Sequence, residues 1–254
     1  MKFIHLTDTH LMPPGQLLKG LDPELRFRAC IDDITRSHAD AECCVMTGDI
    51  ADLGQEEAYR FFGEQMDRCG FDYHPMIGNH DDRDVFRRCF PDTPVDENGY
   101  IQYQVITSAG VFLLLDTLHI GSHDGEFCAQ RQAWLADRLK QHAEVPVYLF
   151  MHHPPFELHL PCIDCIGLKQ QEAFAETLRP YTNIQHIFFG HAHRPLSGNW
   201  NGISFSSLRG TNHQVGLDFN STTIDYVDER PEYAIVFLSE NQLVVHTHCY
   251  PLPD

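Results

Sequence analysis

Five short polar stretches carry the residues able to do chemistry: Asp8-Thr9-His10, Gly48-Asp49, Gly78-Asn79-His80-Asp81, His152-His153 and Gly190-His191-Ala192-His193. Each follows an apolar run, and each presents side chains that can bind a metal ion. Seven candidate ligands emerge: Asp8, His10, Asp49, Asn79, His152, His191 and His193. They are oxygen and nitrogen donors with no cysteine among them, which suits a divalent ion such as Mn, Fe, Co or Zn. Seven donors are too many for one tetrahedral site. They fit two ions sharing a bridging carboxylate, which can clamp the attacking and leaving oxygens of an in-line displacement at phosphorus. His191 and His193, one residue apart, could serve one ion or two.

The elements that must position these residues alternate. KFIHLT (2–7), CCVMT (43–47), YHPMI (73–77), VYLFM (147–151) and HIFF (186–189) read as strands, CCVMT as a buried one. Helices are predicted from Asp22-Pro23 to about His38, from about Gln55 to Cys69 closed by Gly70, over Arg83–Cys89, from about Ala129 to His142 and from about Leu168 to Leu178. The first half is thus a βαβαβα pattern, which argues a largely parallel sheet covered by helices. YIQYQVI and VFLLLDT, joined by Ser108-Ala109-Gly110, read as a hairpin. The tail turns to β structure: ISFSS, then a second hairpin over about 233–250 around Glu240-Asn241. In α/β proteins ligands bind beyond the carboxyl ends of the strands, where all five polar stretches fall.

The 254 residues, 43% hydrophobic, can bury one sizeable core. No linker or internal repeat divides them, so one domain over 1–254 is expected. No run approaches the roughly 18–20 apolar residues of a membrane helix, and MKFIHLTDTH lacks a signal-peptide layout; a cytoplasmic protein making no membrane contact is expected. Nine scattered cysteines without framework spacing point to reduced thiols. With 18 basic against 36 acidic residues and a formal charge of −18, the chain would repel a nucleic-acid polymer, although a small phosphorylated ligand remains compatible with it. Seventeen histidines make a metal site worth seeking.

The order DxH, GD, GNHD, H, GHxH over residues 8–193 resembles the calcineurin-like binuclear metallophosphoesterase superfamily. GDIADLG, GNHDD and HHPPF are similar to its bacterial cyclic-nucleotide phosphodiesterase and glycerophosphodiesterase branch, and Thr211-Asn212-His213-Gln214 resembles a TxHQ stretch of the glycerophosphodiesterases. Any one motif is common; the ordered set is not. The resemblance implies a four-layer α/β sandwich of two mixed sheets with helices outside and the metal site at one rim. It implies two divalent ions (Fe, Mn, Zn or Co), one held by Asp8, His10 and His193, the other by Asn79, His152 and His191, with Asp49 bridging. A hydroxide between the ions would then attack phosphorus in line. His80 would bind the phosphoryl group and stabilise or protonate the leaving oxygen, beside Asn79, and His213 would line the substrate side. The implied substrates are small phosphodiesters, namely 3′,5′-cyclic nucleotides or glycerophosphodiesters, and a dimer or larger homo-oligomer is expected. A phosphomonoesterase or nucleotide pyrophosphatase on the same scaffold is the nearest alternative. A non-catalytic interaction module is the alternative of another class, but such modules are expected to lose ligands, and here all seven stand.

Other polar residues have plainer readings. Asp52 and Asp81 divide between orienting a histidine or backbone and a simple loop role. His153 reads as a packed neighbour. Cys162 and Cys165 form a CxxC with no second pair, so they read as thiols on a loop near the site, where Asp164 and Gly167-Leu168 are the family-like feature. His246 and His248 alternate along a strand and read as sheet-surface or dimer-contact residues. His119 and His123 fall in a loop after LLLDT, where incidental histidines are common.

Overall fold

The computed structural model describes residues 1–253. Thirteen strands and six α-helices alternate along it: β1 Lys2–Leu6, α1 Pro23–Ser37, β2 Cys43–Met46, α2 Glu56–Met66, β3 Asp72–Pro75, α3 Arg83–Cys89, β4 Tyr103–Thr107, β5 Gly110–Leu114, α4 Ala129–Gln141 and β6 Val147–Met151. They continue with α5 Pro161–Asp164, α6 Gln171–Leu178, β7 Ile184–Phe189, β8 Leu196–Trp200, β9 Ile203–Ser207, β10 Gln214–Val215, β11 Tyr226–Val227, β12 Glu232–Ser239 and β13 Gln242–Cys249. One sheet has the order β13-β12-β1-β2-β3, a second β4-β5-β6-β7-β9-β8, and β10 and β11 form a small ribbon. Both large sheets are mixed. β1, β2 and β3 run parallel while β12 joins β1 antiparallel. β5, β6, β7 and β9 run parallel with antiparallel strands at both edges.

The four layers follow from which way side chains point. A strand sends successive side chains to opposite faces, and β6 is buried along its whole length. Its Tyr148 and Phe150 enter a core shared with Phe3, Phe112 and Phe188 between the sheets. Val147, Leu149 and Met151 enter a second core with Trp134 and Leu135 of α4 and Phe174 of α6. Between the sheets the Phe150 and Phe188 rings stack at 4.8 Å, and Phe3 meets Phe112 at 5.1 Å. On the outer face of the first sheet, Phe27 of α1 stacks on Phe62 of α2 at 5.4 Å. Asp22 caps α1 by accepting from the Leu25 amide at 3.0 Å, and Asp82 caps α3 by accepting from the Asp84 and Val85 amides.

The structure departs from the sequence expectation at several boundaries. The helix expected from Leu168 begins at Gln171, because the Leu168 amide donates to the Pro154 carbonyl and the Lys169 amide to the Gly125 carbonyl. The second helix tightens to a 3₁₀ turn over Asp67–Cys69 before Gly70 at φ 74°. The third strand stops at Pro75, and β8, β10, β11 and α5 were not foreseen. No described helix is long and apolar enough to cross a membrane.

Two histidines sit in the core away from the rim. His5 faces Thr47 Oγ1 at 2.9 Å, and His186 lies between Ser204 and Ser206 hydroxyls at 2.7 and 2.8 Å. Burial lowers the pKa of each to about 3. The unfolded chain takes up protons near pH 6.5 while the folded chain resists them, so stability is intact above pH 6.5 and declines as pH falls towards about 3. Each histidine contributes a slope of about 1.4 kcal/mol per pH unit in that window. Urea denaturation between pH 7 and 4 should therefore show a steeper loss for the native sequence than for His5→Gln/His186→Gln.

Candidate metal centre

All five polar stretches meet at the carboxyl ends of β1, β2, β3, β6 and β7, so both sheets contribute to one rim. The loops after β1 and β2 run side by side, with the Asp8 amide donating to the Gly48 carbonyl and the His10 amide to the Asp49 carbonyl. Asp81 ties the loop after β3 to them. Its carboxylate accepts from the Gly78, Ile50 and Ala51 amides and from the Tyr59 hydroxyl. Burial, with Asp49 nearby, raises its pKa to about 6. Asp81 thus orders backbone and not a histidine.

Five of the seven candidate ligands hold the left-handed conformation that side chains avoid: Asp8 (φ 51°), His10 (43°), Asp49 (53°), His191 (65°) and His193 (48°). This backbone costs about 1–2 kcal/mol per residue and concentrates where function requires a fixed geometry. Gly78 supplies the space: a Cβ there would collide with the Asp49 carboxylate and the His152 ring.

The seven side chains fall into two overlapping groups. His10 Nε2 lies 3.1 Å from His193 Nε2, 3.4 Å from Asp49 Oδ2 and 3.9 Å from Asp8 Oδ1, and His193 Nε2 lies 3.3 Å from Asp8 Oδ1. In the other group Asn79 Oδ1 lies 3.1 Å from His152 Nε2 and 2.9 Å from His191 Nδ1, and these two nitrogens are 3.3 Å apart. Asp49 Oδ2 is 3.3 Å from His152 Nε2, so its carboxylate faces both groups. Donors bound about 2.0–2.2 Å from one ion sit roughly 3.0–3.5 Å from each other.

Tautomers sharpen the point. His10 Nδ1 faces Asp52 Oδ1, His193 Nδ1 the His213 carbonyl and His152 Nδ1 the Thr47 carbonyl, each at 2.8 Å. Each Nδ1 therefore carries hydrogen, and each Nε2 turns a lone pair towards carboxylates or another lone pair. Only positive charge between them, a proton or a metal ion, makes these distances favourable. Burial opposes protonation of His152, yet the Asp49 carboxylate outweighs it and raises the pKa to about 9. The donors fit a divalent ion on each side of Asp49.

His80 stands beside both groups. Its amide donates to Asp49 Oδ1 at 2.9 Å, and its Nδ1 faces the Asp52 carbonyl at 2.8 Å, leaving Nε2 for the cleft. His213 packs its ring 4.8 Å from those of His10 and His193, and burial followed by these neighbours holds its pKa far below the ordinary value. His153 is a packed neighbour, with Nδ1 2.8 Å from the Thr117 hydroxyl. His123 comes closer than the sequence indicated: its Nδ1 is 3.3 Å from Asn79 Nδ2. No local signal marks it, because the loop is placed by Arg131 of α4, which donates to the Asp116 and Leu118 carbonyls. Asp164 accepts from the Leu158 and Leu160 amides and folds the thiol loop. His246 and His248 lie on β13, the edge strand of the first sheet, with His248 3.2 Å from Asp33.

Asp52 fixes the His10 ring without meeting the ion positions. Asp52→Asn should lower metal affinity about 10- to 100-fold, read by competition with a chelator.

A cleft of about 420 Å³ opens over these groups, floored by His10, Asp49, Asn79, His80, His191 and His193. A two-sheet α/β sandwich with paired oxygen and nitrogen donor groups at one strand rim is the architecture of a metal-dependent hydrolase. The profile of the calcineurin-like phosphoesterase family matches residues 1–195, and the chain belongs to that family. A Rhodopseudomonas palustris protein named as a probable cyclic nucleotide phosphodiesterase is 37% identical over 97% of this chain and 91% of its own length. One from Arcobacter nitrofigilis, named as a probable glycerophosphodiester phosphodiesterase, is 27% identical over 97% and 92%. The fold is shared with a dimetal phosphatase from Danio rerio (TM-score 0.73, 17% identity, 97% and 95% coverage). The cofactor is a pair of divalent metal ions, and the donor set admits several metals.

Proposed function

We propose that this enzyme is a metal-dependent phosphodiesterase of small organic phosphodiesters, with 3′,5′-cyclic nucleotides and glycerophosphodiesters as the substrate classes. The observation that carries the reading is the pair of donor groups meeting at Asp49, with every Nε2 of His10, His152 and His193 turned inward. Asp8, His10 and His193 would hold one ion, Asn79, His152 and His191 the other, and Asp49 both. When bound, two such ions supply an activated water and positive charge for the phosphoryl oxygens. The chain's own residues do the rest. His80 presents Nε2 to the phosphoryl group and gives a proton to the leaving oxygen, held in orientation by the Asp52 carbonyl. The Asp52 carboxylate also lies 3.4 Å from His80 Nδ1 and holds the ring from the same side. His213 and His123 line the cleft beside these groups. Nine unpaired cysteines support work in a reducing cytoplasm.

Parallel assays of bis-p-nitrophenyl phosphate and p-nitrophenyl phosphate, with Mn and with Zn, test the reading. The diester should be hydrolysed with the higher kcat/KM. A strong preference for the monoester would replace the diesterase by the phosphomonoesterase alternative.

A further inference from the structure

One wall of the cleft has no part in binding metal or phosphate. Ile163, Ile166, Val215 and Ile224 line it, and the Tyr226 ring completes it. Tyr226 is 41% exposed, an unusual state for an aromatic ring beside so polar a floor. It is nonetheless held in place. Tyr226 pairs with Val215 in the β10–β11 ribbon, and its ring stands edge-on to that of His213 at 4.9 Å. The Lys19 ammonium sits over it, 3.9 Å from the centroid. Lys19 arrives there on a two-residue reverse turn. Leu18 and Leu21 exchange backbone hydrogen bonds at 2.9 and 3.0 Å, and Lys19 and Gly20 both have positive φ, 55° and 77°. For lysine this backbone is strained, and the strain places its ammonium over the tyrosine.

We propose that Tyr226, positioned by Lys19, is the specificity-determining platform of the cleft, on which the flat ring of a nucleobase packs against the isoleucine wall. The inference rests on the phosphodiesterase reading of the same site. A flat aromatic group gains from this wall by stacking and apolar burial. The hydroxyls of a glycerol moiety gain less there, because the side chains of Ile163, Ile166, Val215 and Ile224 offer them no hydrogen bond. The His213 ring, touching Tyr226 on one side and the His10 and His193 rings on the other, spaces the platform from the phosphate end by about one ring. That interval suits a sugar between phosphate and base. Lys19 adds a cation at the mouth of a chain whose net charge otherwise opposes anionic ligands.

Equilibrium binding of adenosine 5′-monophosphate and glycerol 3-phosphate to the metal-loaded protein tests this without requiring turnover. The native protein should bind the nucleotide more tightly. Tyr226→Ala should weaken nucleotide binding about ten- to a hundredfold and leave glycerol 3-phosphate within about twofold, while Tyr226→Phe retains the preference. Lys19→Met should weaken the nucleotide in the same selective sense and by less. Equal affinities in the native protein, or equal losses for both ligands, overturn the platform. Nucleotide preference with no hydrolysis of any phosphodiester would leave the platform standing and count against the catalytic reading alone. Tyr226 is partly exposed and its replacement opens no core cavity, so the variants remain folded; thermal melting verifies this.

Discussion

Asp49→Ala protein should lose both metal ions' shared contact and about three orders of magnitude or more in kcat/KM on a phosphodiester. Asp49 alone faces both donor groups, at 3.4 Å from His10 Nε2 and 3.3 Å from His152 Nε2. It also accepts the His80 amide, so its removal takes away one of the bonds that hold the loop carrying Asn79 and His80. The inward nitrogens of His10 and His193 then keep only the Asp8 carboxylate, and that of His152 loses the carboxylate it faces. Metal content measured on the purified variant should fall together with hydrolysis. If full metal content and activity persist, the shared-carboxylate assignment is wrong. Asp49→Asn separates charge from shape: an amide keeps the volume but offers a weaker donor, and its loss should still exceed about a hundredfold.

His80→Ala should behave differently. His80 touches neither donor group through its ring nitrogens, so metal content should remain native while kcat falls about 10²- to 10⁴-fold. The size of the loss should depend on the leaving group. A p-nitrophenolate departs without help, whereas an alkoxide needs a proton, so the variant should be impaired most on an alkyl or sugar diester and least on bis-p-nitrophenyl phosphate. Equal losses on both would show that His80 binds the phosphoryl group without donating a proton. His80→Gln, which can still hydrogen bond, should recover affinity but not the rate on the alkyl ester.

Much of this site could be read from the chain because the signals are local. Most of the ligands follow strands apolar enough to be buried, as CCVM and VYLFM are throughout and IQHIFF is but for Gln185, and strand polarity then carries the five loops to one rim. Helices with an Asp cap or a closing glycine had visible ends. Elements were missed where local signals fail. β8 reads LSGNW and is largely exposed, so it has no apolar alternation to reveal it. β10 and β11 are two residues each, set by tertiary pairing and not by propensity. Leu168 looks like the start of a helix by its apolar spacing, yet its amide is taken by Pro154, a partner 14 positions away. Within the site, His123 and Tyr226 escaped for the same reason. The first is placed by Arg131 and the second by pairing of β11 with β10, contacts between distant segments that periodicity and motif spacing do not encode.

The strand order of the first sheet bears on how the enzyme comes into being during synthesis. β1, which leads directly into Asp8 and His10, lies between β2 and β12. One of its neighbours, Cys43–Met46, is separated from it by a single helix, whereas the other, Glu232–Ser239, is made only after every element of the second sheet. Until that strand arrives, β1 has an open edge, and the first two donors hang from a sheet missing one of its inner strands. The motifs end at residue 193, but a nascent chain that has made only those residues cannot yet complete the bed on which they rest. Residues 232–239, which contribute no donor, are thereby needed to complete the sheet that carries Asp8 and His10.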